Sequence, residues 1–251
     1  MAWLETTSRT FSARHDARDA DDAAAVLSQL EAARTTLERL FEQRVEEMAV
    51  VLHGSVAQLD AAQPWLPLHR RLTAPAGRRY LVGWTTETQL HVLAPRLLAG
   101  RASNVEGSVE LLMLAPAALF ARRVVGANNA RLPPPFGPRS FRRYLRWAWL
   151  VEGAAQYFSG QTRHVRPAIA RRMREGAPPA FPPALGDAAL LGGTLFDLLG
   201  REEGHAAAVA LAIAADSPSP EAALVHAFKG RPLRHTEGTW RAHLERLAGS
   251  A

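Results

Sequence analysis

Chemistry in this chain has few places to reside. There is no cysteine among the 251 residues, so thiolate nucleophiles, disulfides and zinc–thiolate sites are excluded, and any metal site would have to use His, Asp or Glu. The nine histidines are dispersed, and no two stand at the H-x-x-x-H spacing that puts paired imidazoles on one helical turn. No G-x-S-x-G elbow or other recognisable nucleophile arrangement occurs. One carboxylate is conspicuous: Glu152, alone in the apolar and aromatic segment Trp147-Ala-Trp-Leu-Val-Glu-Gly-Ala-Ala-Gln-Tyr-Phe-Ser-Gly160. Read as a helix, the segment places Trp149, Glu152 and Gln156 on one face, and Gly153 allows another backbone to come close. A carboxylate in such surroundings needs a positive partner, because an unpaired buried charge is expensive.

The basic residues are unevenly placed. The formal charge is +6, yet 29 of the 30 basic residues are arginine, a bias that a G+C-rich coding sequence produces without selection for phosphate binding. From Arg122 to Arg174 there are twelve arginines and one acid, Glu152. With Tyr144, Trp147 and Trp149 interleaved, this segment raises nucleic-acid binding as one alternative function.

The elements that must position these residues follow from periodicity. Glu5 to His15 reads as a first strand. Asp21 to Val45 has the apolar spacing of a long amphipathic helix, with Glu31 on its solvated face. Met48 to His53, Arg79 to Trp84 and Gln89 to Ala94 read as further strands, giving a small mixed sheet of about four strands. His53 and His91 read as packed or edge histidines, with no second histidine near either in sequence. From Ser108 onward the signals are helical. Pro116 should break the run Val109 to Val125 near Ala115. Gly126 to Arg139 reads as a loop, followed by helices from about Arg139 to Gly160, Arg166 to Arg174, Asp187 to Leu199, His205 to Ala214, Pro220 to Phe228 and Glu237 to Ala248. The paired Gly192-Gly193 suit close helix packing. The expected fold class is α+β, with an α/β lobe over 1–125 and an all-helical lobe over 126–251. No apolar run reaches 18 residues and Met1 to Arg18 lacks the apolar stretch of a signal peptide, so the expected location is the cytoplasm.

Trp149-Leu150-Val151-Glu152-Gly153-Ala154-Ala155-Gln156-Tyr157 resembles the W-L-x-E-G-x-A-x-Y segment of gluzincin, thermolysin-like or peptidase MA-like, metallopeptidases, in which that glutamate is the third zinc ligand. The resemblance implies a single zincin-like domain over 1–251. It likens Gln89 to Ala94 to the strand at the cleft edge, Val109 to Val125 to the active-site helix, Asp187 to Gly204 to a later helix, and Glu237 to Leu247 to the closing segment. In that family an L-x-H-E-x-x-H helix supplies two imidazoles and the base that takes a proton from the metal-bound water. Laid on Leu114-Ala-Pro-Ala-Ala-Leu-Phe120, the motif falls on Pro116, Ala117 and Phe120, and all three chemical groups are missing.

The resulting expectation is a pseudo-peptidase with no catalytic residues and no zinc, with Glu152 its only retained ligand-type residue. It would have a binding or scaffold role, with a remnant cleft formed by Pro116, Ala117, Phe120, Arg123, Trp149, Glu152 and Tyr157 that either holds a peptide or protein or is filled by Phe120 and its neighbours. The alternatives are a hydrolase with a non-standard site on the same scaffold and nucleic-acid binding through 122–174. Continuing the face of 116 and 120 leads to Arg123 as the expected partner of Glu152, with Arg122 next in line and Arg146 after it.

Overall fold

The computed structural model describes residues 3–129, 131, 138–174, 177–214 and 216–249. The strands are β1 (Trp3–Thr7), β2 (Phe11–Asp16), β3 (Met48–His53), β4 (Gly83–Thr85) and β5 (Gln89–Leu93). The helices are α1 (Ala20–Leu37), α2 (Val56–Ala62), α3 (Trp65–Leu72), α4 (Pro75–Arg78), α5 (Ser108–Met113), α6 (Ala115–Ala127), α7 (Pro138–Ser159), α8 (Arg166–Arg174), α9 (Leu185–Glu202), α10 (His205–Ala212), α11 (Pro220–Ala227) and α12 (Leu233–Gly249). The fold is α+β, with one five-stranded mixed sheet in the order β1-β2-β3-β5-β4. β1–β2 and β4–β5 are antiparallel, and β2–β3 and β3–β5 are parallel.

The sheet departs from the sequence reading in three places. Glu5 to His15 is a hairpin, β1 and β2, and not one strand. Its turn carries no glycine or asparagine. It is held instead from α1 by Glu31, whose carboxylate accepts from Ser8 Oγ at 2.7 Å, Thr10 N at 2.7 Å and Thr10 Oγ1 at 2.9 Å. Glu31 is thus a turn anchor and not simply a solvated surface residue. In the second place, Arg79 to Trp84 is mostly turn, and only Gly83–Thr85 pairs, at the sheet edge. In the third, β5, likened above to the edge strand, lies inside the sheet between β3 and β4.

Helix α1 stops at Leu37, short of the Val45 expected. The apolar spacing persists beyond it because the following loop is itself core: Phe41 and Val45 are buried, and the Phe41 ring meets Phe158 edge-on at 5.1 Å. At Pro116 the helical run does break, into α5 and α6 at Leu114. Proline is tolerated there because it falls in the first turn of α6, where a backbone N–H has no partner to lose. Half of the expected loop from Gly126 to Arg139, including Pro133 to Pro135, lies outside the described residues.

Two seams of α7 set up the site. On one side α7 meets α9 backbone to backbone. A Cβ on Gly153 would stand 2.5 Å from the carbonyl carbon and oxygen of Gly192, and one on Gly192 would stand 2.5 Å from Trp149 O. The glycines at 153, 192 and 193 are therefore steric requirements for close helix approach. On the other side α7 meets α6, which itself covers β4 and β5.

Candidate functional site

Glu152 is 5% exposed and faces α6. Arg122 Nη2 donates to Glu152 Oε2, and both side chains are almost wholly buried. The other carboxylate oxygen, Oε1, accepts from Tyr144 Oη at 2.7 Å. That hydroxyl also lies 2.5 Å from His69 Nε2. Since its single proton goes to Glu152, His69 must donate, which fixes the imidazole with its proton on Nε2. A one-way chain results: His69 Nε2–H to Tyr144 Oη–H to Glu152, with the Arg122 guanidinium on the far oxygen. Four side chains from α3, α6 and α7 converge in it.

The electrostatics follow from burial and pairing. Burial alone would raise the Glu152 carboxyl, but the Arg122 charge and the Tyr144 hydrogen bond outweigh it and hold the group below the usual carboxylate range. Burial pushes the Tyr144 phenol well up, and the Glu152 charge adds to this. Burial pushes His69 down to about 4, with the pull of Glu152 too weak to restore it. At neutral pH the network is one anion, one cation and two neutral groups. His69, Tyr144 and Glu152 are all shifted away from the proton exchange near pH 7 that a general acid or base performs.

A space of about 50 Å³ lies beside the ion pair, bordered by Ala115, Ala118, Leu119 and Arg122 of α6, by Glu152, Ala155 and Gln156 of α7, and by 80–83, Leu111, Gln161 and Ala189. A water needs at least ~10–15 Å³ and ligand pockets usually run to several hundred. The space has room for a few solvent molecules and none for a peptide side chain of ordinary size. Gln156 closes one end by bridging α7 to α9: its Nε2 donates to Ala189 O and its Oε1 accepts from Gly193 N at 3.0 Å.

Of the seven residues expected to form a cleft, Glu152 alone borders this space. The stripe of α6 that faces Glu152 is 115, 118, 119 and 122, one residue before the one extrapolated across Pro116. Pro116 and Ala117 are buried elsewhere, and Phe120 turns toward the sheet, meeting Phe11 edge-on at 5.1 Å. Arg123 is not the partner of Glu152. Its Nε donates to Glu87 O at 2.8 Å in the β4–β5 connection. Trp149 lines a separate groove with Leu145 and Ala148. Tyr157 bonds His205 Nδ1 at 2.9 Å, toward α10.

His69 and Tyr144 were missed in the sequence. Tyr144 stands two helical turns before Glu152 on α7, a spacing that shares a face, whereas nothing in the sequence around His69 marks it. The structure also joins His53 to His91, which sequence distance had kept apart. Their rings stack at 5.3 Å with Nε2 and Nδ1 3.0 Å apart, and burial, together with the neighbouring His91, holds His53 down at about 4.

The residues around Glu152 do not suit zinc. Both carboxylate oxygens are taken, one of them by a guanidinium whose charge would repel a dication, and only one imidazole, His69, stands nearby, its Nε2 taken by Tyr144. Among the described residues no three His, Cys, Asp or Glu side chains cluster as metal ligands would. Tyr144, Trp147 and Trp149, the aromatics interleaved with the arginines, are all buried in the core and so offer no stacking platform. Among the described residues no helix is long and apolar enough to cross a membrane. No known family profile, curated protein or solved structure matches the chain.

Proposed function

We propose that this chain is a catalytically silent, gluzincin-like pseudo-peptidase in which a buried Arg122–Glu152 ion pair stands where the family holds its metal, and that it serves as a binding or scaffold protein. The observation that carries this reading is the guanidinium of Arg122 on Glu152. Three further features support it. An edge strand, a helix and a glutamate-bearing helix border one space, as the resemblance implies, with β4 as the edge. The cleft-facing stripe of α6 has the i, i+1, i+4 spacing of H-E-x-x-H at Ala118, Leu119 and Arg122, so the register sits two residues later than the motif laid on Leu114 to Phe120. In that register an alanine and a leucine replace the first imidazole and the base, and an arginine replaces the second imidazole. The remaining space of about 50 Å³ is also too small for a substrate residue. Partner recognition is therefore assigned to the outer surface and not to the former cleft.

The test is metal analysis and hydrolysis on the same purified protein. After zinc loading and desalting, substoichiometric zinc and no cleavage of a mixed peptide library are expected. A chelator should leave the melting temperature unchanged, because a ligand that bound only the folded state would have stabilised it. Stoichiometric zinc together with hydrolysis that Glu152→Gln abolishes would overturn the reading.

A further inference from the structure

The two edges of the sheet differ. On one side it ends in β4, three residues long and all buried. On the other it ends in β1, five residues long and exposed except for Thr6, which is half-buried. Natural edge strands are kept from pairing with other chains by shortness, proline, lysine or a bulge. β1, Trp3-Leu-Glu-Thr-Thr7, has neither proline nor lysine, and its register with β2 runs from Trp3↔Asp16 to Thr7↔Ser12 without a bulge. Trp3 is 54% exposed and Leu4 46%.

The backbone of this edge is unpaired in a definite pattern. Ser8 N donates to Phe11 O at 2.8 Å, closing the hairpin. Bonded and non-bonded pairs alternate along an antiparallel ladder, so Thr6 and Leu4 turn their N–H and C=O groups inward to β2, and Trp3, Glu5 and Thr7 turn theirs outward. Side chains alternate as well. Leu4 and Thr6 share the face of Phe11, Ala13 and His15, where Arg34 of α1 lies over the Phe11 ring. Trp3, Glu5 and Thr7 share the opposite face with Ser12, Arg14 and Asp16. Arg14 stands directly across from Glu5, yet among the described residues no ion pair joins them.

We propose that β1 pairs antiparallel with β1 of a second copy of this chain, about a two-fold axis at Leu4. An incoming strand has to set an apolar residue beside Leu4 and keep an acid away from Glu5. Of the registers that match the outward backbone groups, β1 does both only in this one. Leu4 meets Leu4 across the axis on one face. On the other, Trp3 exchanges backbone hydrogen bonds with Glu5 of the second copy, and its indole extends toward Arg14 behind it, a cation–π partner. Centring on Glu5 instead opposes two carboxylates directly, which destabilises a cross-strand pair, and centring on Thr6 leaves Leu4 beside Ser8. The result is one sheet continuous across an isologous dimer. Two five-residue strands bury well short of the ~1,200 Å² of a standard interface, so the dimer is weak and concentration-dependent. This inference does not rest on the reading of Glu152.

Because the chain has no cysteine, single cysteines report the register. Across the axis the two Leu4 Cα atoms stand about 4.5 Å apart, within disulfide reach, whereas those of Trp3 or of Glu5 stand about 8 Å apart, beyond it. Under mild oxidation Leu4→Cys should form a disulfide-linked dimer at least tenfold faster than Trp3→Cys or Glu5→Cys. Sedimentation equilibrium of the native chain should show a reversible monomer–dimer equilibrium. Glu5→Pro removes only an outward N–H, so the hairpin stands while dimerisation weakens at least tenfold. Ile213→Lys, at an exposed apolar position just after α10, should leave dimerisation unchanged. The cysteine series decides the matter should the proline variant misfold by circular dichroism. A native chain that stays monomeric up to about 1 mM would overturn the proposal and leave the edge to a strand of another protein. Cross-linking equally fast at all three positions or fastest at Glu5→Cys, or a folded Glu5→Pro that dimerises as tightly as the native chain, would overturn it too.

Discussion

Helix α7 meets its two most extensively packed neighbours, α9 and α6, in opposite ways. Against α9 the seam is dry and steric: Gly153 and Gly192 let backbones touch, and Gln156 ties the helices through backbone groups. Against α6 the seam is electrostatic: a carboxylate, a guanidinium, a phenol and an imidazole are buried together beside a space of about 50 Å³. Side-chain size governs the first seam. The second depends on charge balance, so removing one partner there should cost more than removing both, because a lone buried charge is worse than none.

The sharpest break of that comparison is Arg122→Met. It leaves the Glu152 carboxylate buried with only Tyr144 to solvate it, and a loss of about 3–5 kcal/mol is expected in chemical denaturation. The contribution of His69 comes next and appears through pH. Its folded pKa of about 4 lies below the unfolded value of about 6.5. As pH falls below 6.5 the unfolded chain takes up a proton that the folded chain refuses, so stability is full above that range and declines toward pH 4. Between pH 7 and pH 4.5 the stability advantage of the native protein over His69→Gln should shrink by about 2–3 kcal/mol; a constant difference would show that His69 is not held neutral.

At the steric seam, Gly153→Ala improves helix propensity by roughly 0.5–1 kcal/mol but sets a methyl 2.5 Å from the Gly192 carbonyl. Overpacking costs of about 1–3 kcal/mol should win, giving a net loss that does not vary with pH. A stabilised variant would mean that the helices separate easily. The smallest effect belongs to Arg123→Met, which loses one hydrogen bond to the Glu87 carbonyl; about 0.5–1 kcal/mol is expected in the same denaturation assay. A cost near that of Arg122→Met would return Arg123 to the network.

Much of the frame was legible because it rests on local rules. The helix over Arg166–Arg174 and the break at Pro116 follow from periodicity and from proline's missing N–H. The hairpin turn at 8–10 was hidden because its anchor, Glu31, is a tertiary partner and not a turn residue. Glu152 stood out as the one acid in an apolar helix, and its need for an arginine followed from the cost of burial. Which arginine depended on the phase of α6 after its restart at Ala115, and counting residues across the break put the face one residue late. His69 left no trace, since its role comes from packing α3 against α7. The His53–His91 pair arises from the parallel register of β3 and β5, which sequence separation conceals.

The central claim is that Arg122 and Glu152 form one buried unit in place of a metal centre. A double-mutant cycle between Arg122→Met and Glu152→Gln, read by equilibrium denaturation at pH 7, measures it directly. The expected coupling is at least about 2 kcal/mol, with the double variant more stable than Arg122→Met alone. Additive losses, with coupling below about 0.5 kcal/mol, would contradict the account.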